Sequence, residues 1–78
     1  MRKVLELNVG DLFQVPTDTN VYMMIDKTYV NMGTSDKVAV CIKSDYERIG
    51  KLRFFDNCEE VFEYNGELDV FKYNDLER

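Results

Sequence analysis

Val38-Ala39-Val40-Cys41-Ile42 is the stretch on which the reading of this chain turns. Three β-branched residues alternate with two small ones. A pleated strand therefore puts Val38, Val40 and Ile42 on one face and Ala39 and Cys41 on the other. Branching at Cβ restricts helical rotamers and suits a sheet. No charge falls on either face, which predicts a central strand covered on both sides.

Working outward, shorter segments of the same kind recur about every eight to twelve residues. Upstream, Val21-Tyr22-Met23-Met24-Ile25 alternates as a strand, with Val21, Met23 and Ile25 sharing a face, and Asp26 to Val30 prolongs it. Leu12 to Val15 is another, stopped by Pro16, which has no N–H to give a ladder. Thr17-Asp18-Thr19-Asn20 is a polar turn. Nearer the start, Leu5, Leu7 and Val9 alternate with Glu6 and Asn8 as a first strand, and Gly10-Asp11 reverses the chain. Downstream, Ser44-Asp45-Tyr46-Glu47 has the S-x-x-E spacing of a capping box. It is long enough for one helical turn or a plain loop, closed by Gly50. Lys51 to Phe55 returns as a strand with Leu52 and Phe54 inward and Lys51 and Arg53 outward.

The strongest turn signal comes last. Asn65-Gly66 lies between two strand-forming arms, Val61 to Tyr64 and Glu67 to Tyr73, and both turn residues tolerate the positive φ that a two-residue hairpin demands. The register then pairs Tyr64 with Glu67, Val61 with Val70 and Glu59 with Lys72. Residues 74–78 read as a frayed tail. The expectation is one all-β domain over residues 1–78. It is a small barrel or barrel-like antiparallel sheet of six or seven short strands, ending in a C-terminal hairpin. Closure is favoured because a short chain has few other ways to protect sheet edges.

The order Leu7-x-Val9-Gly10-Asp11-x-Phe13, the Val21-Tyr22 strand, Val38 to Ile42 and Gly50-x-Leu52-x-Phe54 resembles small SH3-like barrels over about residues 5–64. The resemblance implies a fold and carries no binding residues with it, because the aromatic and acidic pattern of Pro-rich-peptide binders is missing. Size and richness in Lys, Asn, Asp and Tyr also resemble small accessory proteins of bacterial viruses.

Composition narrows the function. The 78 residues contain no His, so no side chain titrates near neutral pH unless its surroundings shift it, and a Ser or Cys nucleophile lacks its usual base. No catalytic residue, cofactor or metal is expected: two cysteines, Cys41 and Cys58, lie 17 residues apart without CxxC spacing. Both sit in apolar contexts and read as free thiols of a reduced, cytoplasmic protein. No run reaches the length of a membrane span, and no targeting segment follows Met1-Arg2-Lys3. The net charge of −5 is uneven: residues 1–55 carry eight Lys/Arg against seven Asp/Glu, and residues 56–78 carry two against eight. An acidic C-terminal third disfavours nucleic acid as a partner and fits a basic one.

Two candidate sites follow. On the hairpin, Phe62, Tyr64, Phe71 and Tyr73 share a face with Glu60, Glu67 and Asp69, while Val61, Leu68 and Val70 occupy the other. Rings ringed by carboxylates would hold another protein with a basic or apolar surface. The leading expectation is therefore a non-enzymatic interaction module, an accessory or inhibitory protein, with nucleic-acid mimicry as a variant. The alternative rests on Lys43, Arg48, Lys51 and Arg53 around the 44–50 loop. These would let a homo-oligomer sequester a small anion or nucleotide. A nucleic-acid-binding barrel is the third reading.

Overall fold

Three rings decide how the strands close on one another. Phe13 stacks on Tyr22 with centroids 5.7 Å apart, and Phe55 meets both edge-on at 5.3 and 5.9 Å. The computed structural model describes residues 1–64. They form six strands: β1 (Arg2–Lys3), β2 (Leu12–Gln14), β3 (Val21–Ile25), β4 (Lys37–Lys43), β5 (Leu52–Phe55) and β6 (Glu60–Glu63). The strands make one antiparallel sheet in the order β1-β6-β2-β3-β4-β5. The domain is all-β, and its only helical pieces among the described residues are two 3₁₀ turns. None is a helix long and apolar enough to cross a membrane.

β4 is the strand that the Val38–Ile42 alternation predicts, flanked by β3 and β5. Its small residues face the core. Ala39 lies opposite Met24 and Arg53, and Cys41 opposite Tyr22.

 Both are almost wholly buried, and their small side chains leave the space that the three rings fill. The core joins these to Val4, Leu7, Phe13, Val15, Met24 and Val61.

The other face of β4 is only partly covered, which corrects the expectation of cover on both sides. Val38 is fully buried, but Ile42 is 39% exposed. Register carries this face across the sheet, through Leu12 to Met23, Val40 and Leu52. Leu52 and Phe54 are 46% and 41% exposed, so β5 is turned over relative to the expectation of Leu52 and Phe54 inward. Phe54-Phe55 offers a ring to either parity. Phe55 takes the inside place in the ring cluster, and Arg53 follows it inward.

The first segment also differs from its expected alternation. Val4–Glu6 is a 3₁₀ turn in place of a strand. Val4 and Leu7, three residues apart, are buried, whereas Leu5 and Val9 are exposed, as the period of three in a 3₁₀ turn requires. The Asp26–Val30 extension of β3 is likewise a 3₁₀ turn at Lys27–Tyr29, begun by Asp26, whose Oδ1 accepts from the Thr28 amide at 2.9 Å. In the 44–50 loop the capping box is replaced by a tighter device. Ser44 Oγ accepts from the Tyr46 amide at 3.0 Å, two residues on, and Glu47 has φ 59°, a left-handed value no helix contains.

β1 and β5 share no ladder, so the described residues form an open six-stranded antiparallel sheet, compatible with a small barrel-like fold. A lysine bridges part of the gap. Lys37, at the start of β4, donates from Nζ to the carbonyls of Val4, Leu5 and Leu7 at 3.0, 3.2 and 2.6 Å. Nearby, the Val4 and Leu5 amides donate to the Glu59 and Asn57 carbonyls, and the Asn57 amide donates to Asp36 Oδ2. β6 lies between β1 and β2, pairing Glu60 and Val61 with Lys3 and Arg2, and Phe62 and Glu63 with Gln14 and Phe13. The expected Asn65-Gly66 turn and its second arm lie outside the described residues.

Candidate anion-binding cleft

The turn between β2 and β3 and the loop between β4 and β5 approach one end of the sheet and enclose a cleft of about 560 Å³. Its floor begins with Thr17-Asp18-Thr19-Asn20. Asp18 Oδ1 accepts from the Asn20 amide at 2.9 Å, an Asx turn that folds the segment back just before β3. Asp18 Oδ2 accepts from the Tyr22 hydroxyl at 3.0 Å and from Arg53 Nη1 at 3.1 Å. Asn20 Nδ2 and Arg53 Nη1 each lie 3.4 Å from the Tyr22 oxygen as donors. The Arg53 guanidinium also lies over the Tyr22 and Phe55 rings, 5.7 and 5.2 Å from their centroids. One arginine thus ties the polar floor to the ring cluster, and its charge is answered by Asp18.

The opposite wall comes from the β4–β5 loop. The Gly50 amide donates to the Cys41 carbonyl at 2.7 Å, and the Cys41 amide to the Lys51 carbonyl at 2.9 Å, which closes the loop as a hairpin. Gly50 sits at φ 86°, where a side chain would be strained. The Lys51 amide donates to the Arg48 carbonyl at 3.0 Å, a turn that sets Arg48 and Lys51 together at the mouth. Tyr46, 72% exposed, stands beside them.

Of the four expected cations, Arg48, Lys51 and Arg53 line the cleft, and Lys43 does not. Asp45 and Glu47, the carboxylates of the same loop, are exposed and do not line it either. Among the described residues neither Arg48 nor Lys51 pairs with a carboxylate. With Arg53 neutralised by Asp18, the mouth keeps two positive charges in a protein whose net charge is −5. Asn20 is only 5% exposed, and its Oδ1 accepts no hydrogen bond in the structure. A buried acceptor left without a donor costs about 1–3 kcal/mol. Sequence reading took Asp18 and Asn20 as turn residues and did not single out Tyr22 or Tyr46 as a wall. The signal for the first two was the same Asx chemistry that marked the turn.

The hairpin site is described in part. Glu60 is exposed, Phe62 is 46% exposed and Tyr64 is half-buried. Val61, between them, is fully buried. The Tyr64 amide donates to the Leu12 carbonyl at 2.9 Å, and Glu63 pairs with Arg2 at 3.3 Å. Glu67, Asp69, Phe71 and Tyr73 lie outside the described residues. Cys41 is a buried free thiol, whereas Cys58 is exposed, correcting its expected apolar setting. Among the described residues no three metal-ligating side chains converge. Compared with known protein families, with curated proteins and with solved structures, the chain matches none.

Proposed function

We propose that this domain is a non-catalytic, cytoplasmic module that binds a small anionic ligand in the cleft between the β2–β3 turn and the β4–β5 loop. The observation that carries this reading is the pair Arg48 and Lys51 at the mouth, without a carboxylate partner among the described residues. A cleft of about 560 Å³ falls within the usual range for small-molecule sites, about 300–1,000 Å³. Holding a ligand without transforming it suits a sequestering or inhibitory accessory protein.

The test is titration with inorganic pyrophosphate, followed through backbone amide shifts. Asn20, Tyr22 and residues 48–53 are expected to move, with affinity falling as salt rises. The double reversal Arg48→Glu, Lys51→Glu is expected to weaken binding at least ten-fold. Shifts spread evenly over the surface, or unchanged by the reversal, would overturn the reading.

A second reading is favoured by Phe62, which leaves half its ring in solvent beside exposed Glu60. On this reading β6 contributes to a contact with another protein. Phe62→Glu is then expected to abolish any complex or self-association seen by sedimentation, and an unchanged profile would remove the idea.

A further inference from the structure

We infer that the anion held by Arg48 and Lys51 is the phosphate of an anionic lipid headgroup, and that the β4–β5 loop docks the domain on a membrane surface. This rests on the anion-binding reading above and adds the residue that stands between the two cations. The Lys51 amide closes Arg48-Ile49-Gly50-Lys51 as a tight turn by donating to the Arg48 carbonyl at 3.0 Å. Gly50, at φ 86°, holds the third place, where a type II turn needs a positive φ. The ends of such a turn lie within about 7 Å of each other. Arg48 and Lys51 are those ends, and Ile49 is at the corner.

Ile49 is 65% exposed, and Tyr46, three residues before it, is 72% exposed. Leu52, 46% exposed, continues the apolar surface past Lys51. Turn corners ordinarily go to Pro, Gly, Asn, Asp or Ser, each for a backbone reason that Ile does not share. Packing does not explain Ile49 either, since it belongs neither to the core nor to the lining of the cleft. A small anion in the cleft leaves Ile49 in water, so anion binding alone does not account for it. A lipid surface accounts for both features. Headgroup phosphates surround any apolar group that enters the interface, so the cations at the two ends of the turn meet phosphates while the corner reaches the acyl chains. Tyr46 suits the same boundary, with an apolar ring and a hydroxyl for the wet side. An acidic protein would need a pocket shaped for Ile49, whereas a bilayer accepts it anywhere. Surface docking of this kind needs no spanning segment.

The charge of the chain sets the orientation. Lys43, Arg48 and Lys51 stand against Asp45 and Glu47, one net positive charge over residues 43–51. The whole chain carries −5, so the remainder carries −6. An anionic surface therefore repels the remainder and draws this loop toward itself. At about five-fold in affinity per basic residue, one net charge holds the domain only weakly. The cations and the apolar corner are thus both required.

The experiment compares vesicles of phosphatidylcholine alone with vesicles of phosphatidylcholine and phosphatidylglycerol in equal parts, by co-sedimentation of the full chain, beside a titration with inorganic pyrophosphate. The protein is expected to bind the mixed vesicles at least ten-fold more tightly than the neutral ones, and less tightly as salt rises. Ile49→Asp is expected to lose at least ten-fold on the mixed vesicles while its affinity for pyrophosphate stays within two-fold. The chain has no Trp, so the emission of Ile49→Trp reports the corner alone. It should shift to the blue on the mixed vesicles and stay unchanged with pyrophosphate. Equal binding to the two kinds of vesicle would overturn the inference, as would Ile49→Asp binding like the wild type or an Ile49→Trp emission that does not shift. Pyrophosphate binding that persists in any of these cases leaves the anion site standing. No binding of any probe, pyrophosphate included, would overturn both. The Ile49→Trp emission decides by itself should Ile49→Asp not fold.

Discussion

Lys37 is the most informative single residue to remove, because its one ammonium group holds three carbonyls of a segment 30 to 33 residues away. Lys37→Met keeps most of the aliphatic stem and deletes the donors. The bond to Leu5 is exposed, and water replaces it at little cost. The bonds to Val4 and Leu7 are part-buried, and their carbonyls lose a charged partner. Charge-assisted bonds of this kind contribute about 1.5–3 kcal/mol each at most. Taking the low end for each of two half-shielded groups, with partial rescue by water, gives a loss of about 2–3 kcal/mol. For a domain of this size that corresponds to a fall in Tm of about 10–20 °C. The assay is urea denaturation followed by circular dichroism, with Lys27→Met as the control on an exposed 3₁₀ turn. The reasoning fails if Lys37→Met stays within about 0.5 kcal/mol of the wild type, the range of ordinary surface substitutions.

Three further outcomes are expected. Ala39→Leu forces three extra carbons into a fully buried site opposite Met24 and Arg53, and should cost about 1–3 kcal/mol by the same denaturation assay. Thiol labelling of the native protein should modify Cys58 at once and Cys41 only after denaturant is added, as read by mass spectrometry. The Thr28 backbone amide, bonded to Asp26, holds that carboxyl below its ordinary value. With a folded pKa under the unfolded one, its contribution is present above the unfolded value and lost as pH falls through the folded one. A carboxyl-carbon NMR titration should therefore find the Asp26 midpoint below about 3.9, and a midpoint at or above it would refute the bond.

The strands were legible where the pattern was local. Val38 to Ile42, Val21 to Ile25 and Leu12 to Gln14 each announce themselves by alternation, and Pro16 and Gly10-Asp11 end or turn the chain as their backbone chemistry dictates. What failed was local too, but ambiguous. Leu5, Leu7 and Val9 fit a period of two, whereas Val4 and Leu7 fit a period of three, and only the carbonyls offered to Lys37 from far down the chain favour the second. The cations of the cleft were legible as a cluster around one loop. Its other wall was not, because Asp18 and Asn20 carry turn chemistry whatever else they do. Their approach to Arg53, 35 residues on, follows from strand order. Asn-Gly likewise speaks of a turn, and says nothing of which strands flank β6.

The parity of β5 links the fold to the site. Had Leu52 and Phe54 faced inward, Arg53 would stand in solvent and Phe55 outside the ring cluster. With Phe55 inside, Arg53 must point the same way, and a guanidinium there needs both a carboxylate and an aromatic surface to lie against. Asp18 supplies the first and Tyr22 with Phe55 the second. That commitment uses up Asp18, fixes the Tyr22 proton and leaves Asn20 Oδ1 without a donor. The same reversal sends Leu52 and Phe54 to the outer face, which accounts for its exposed apolar surface. Arg53 is therefore a structural cation that shapes the cleft floor, and the charges left for a ligand are those of Arg48 and Lys51. Arg53→Leu should accordingly destabilise the fold, whereas reversing Arg48 and Lys51 should leave stability unchanged and remove anion binding. If Arg53→Leu folds as well as the wild type, the ring cluster rather than the Asp18 pair sets the parity of β5.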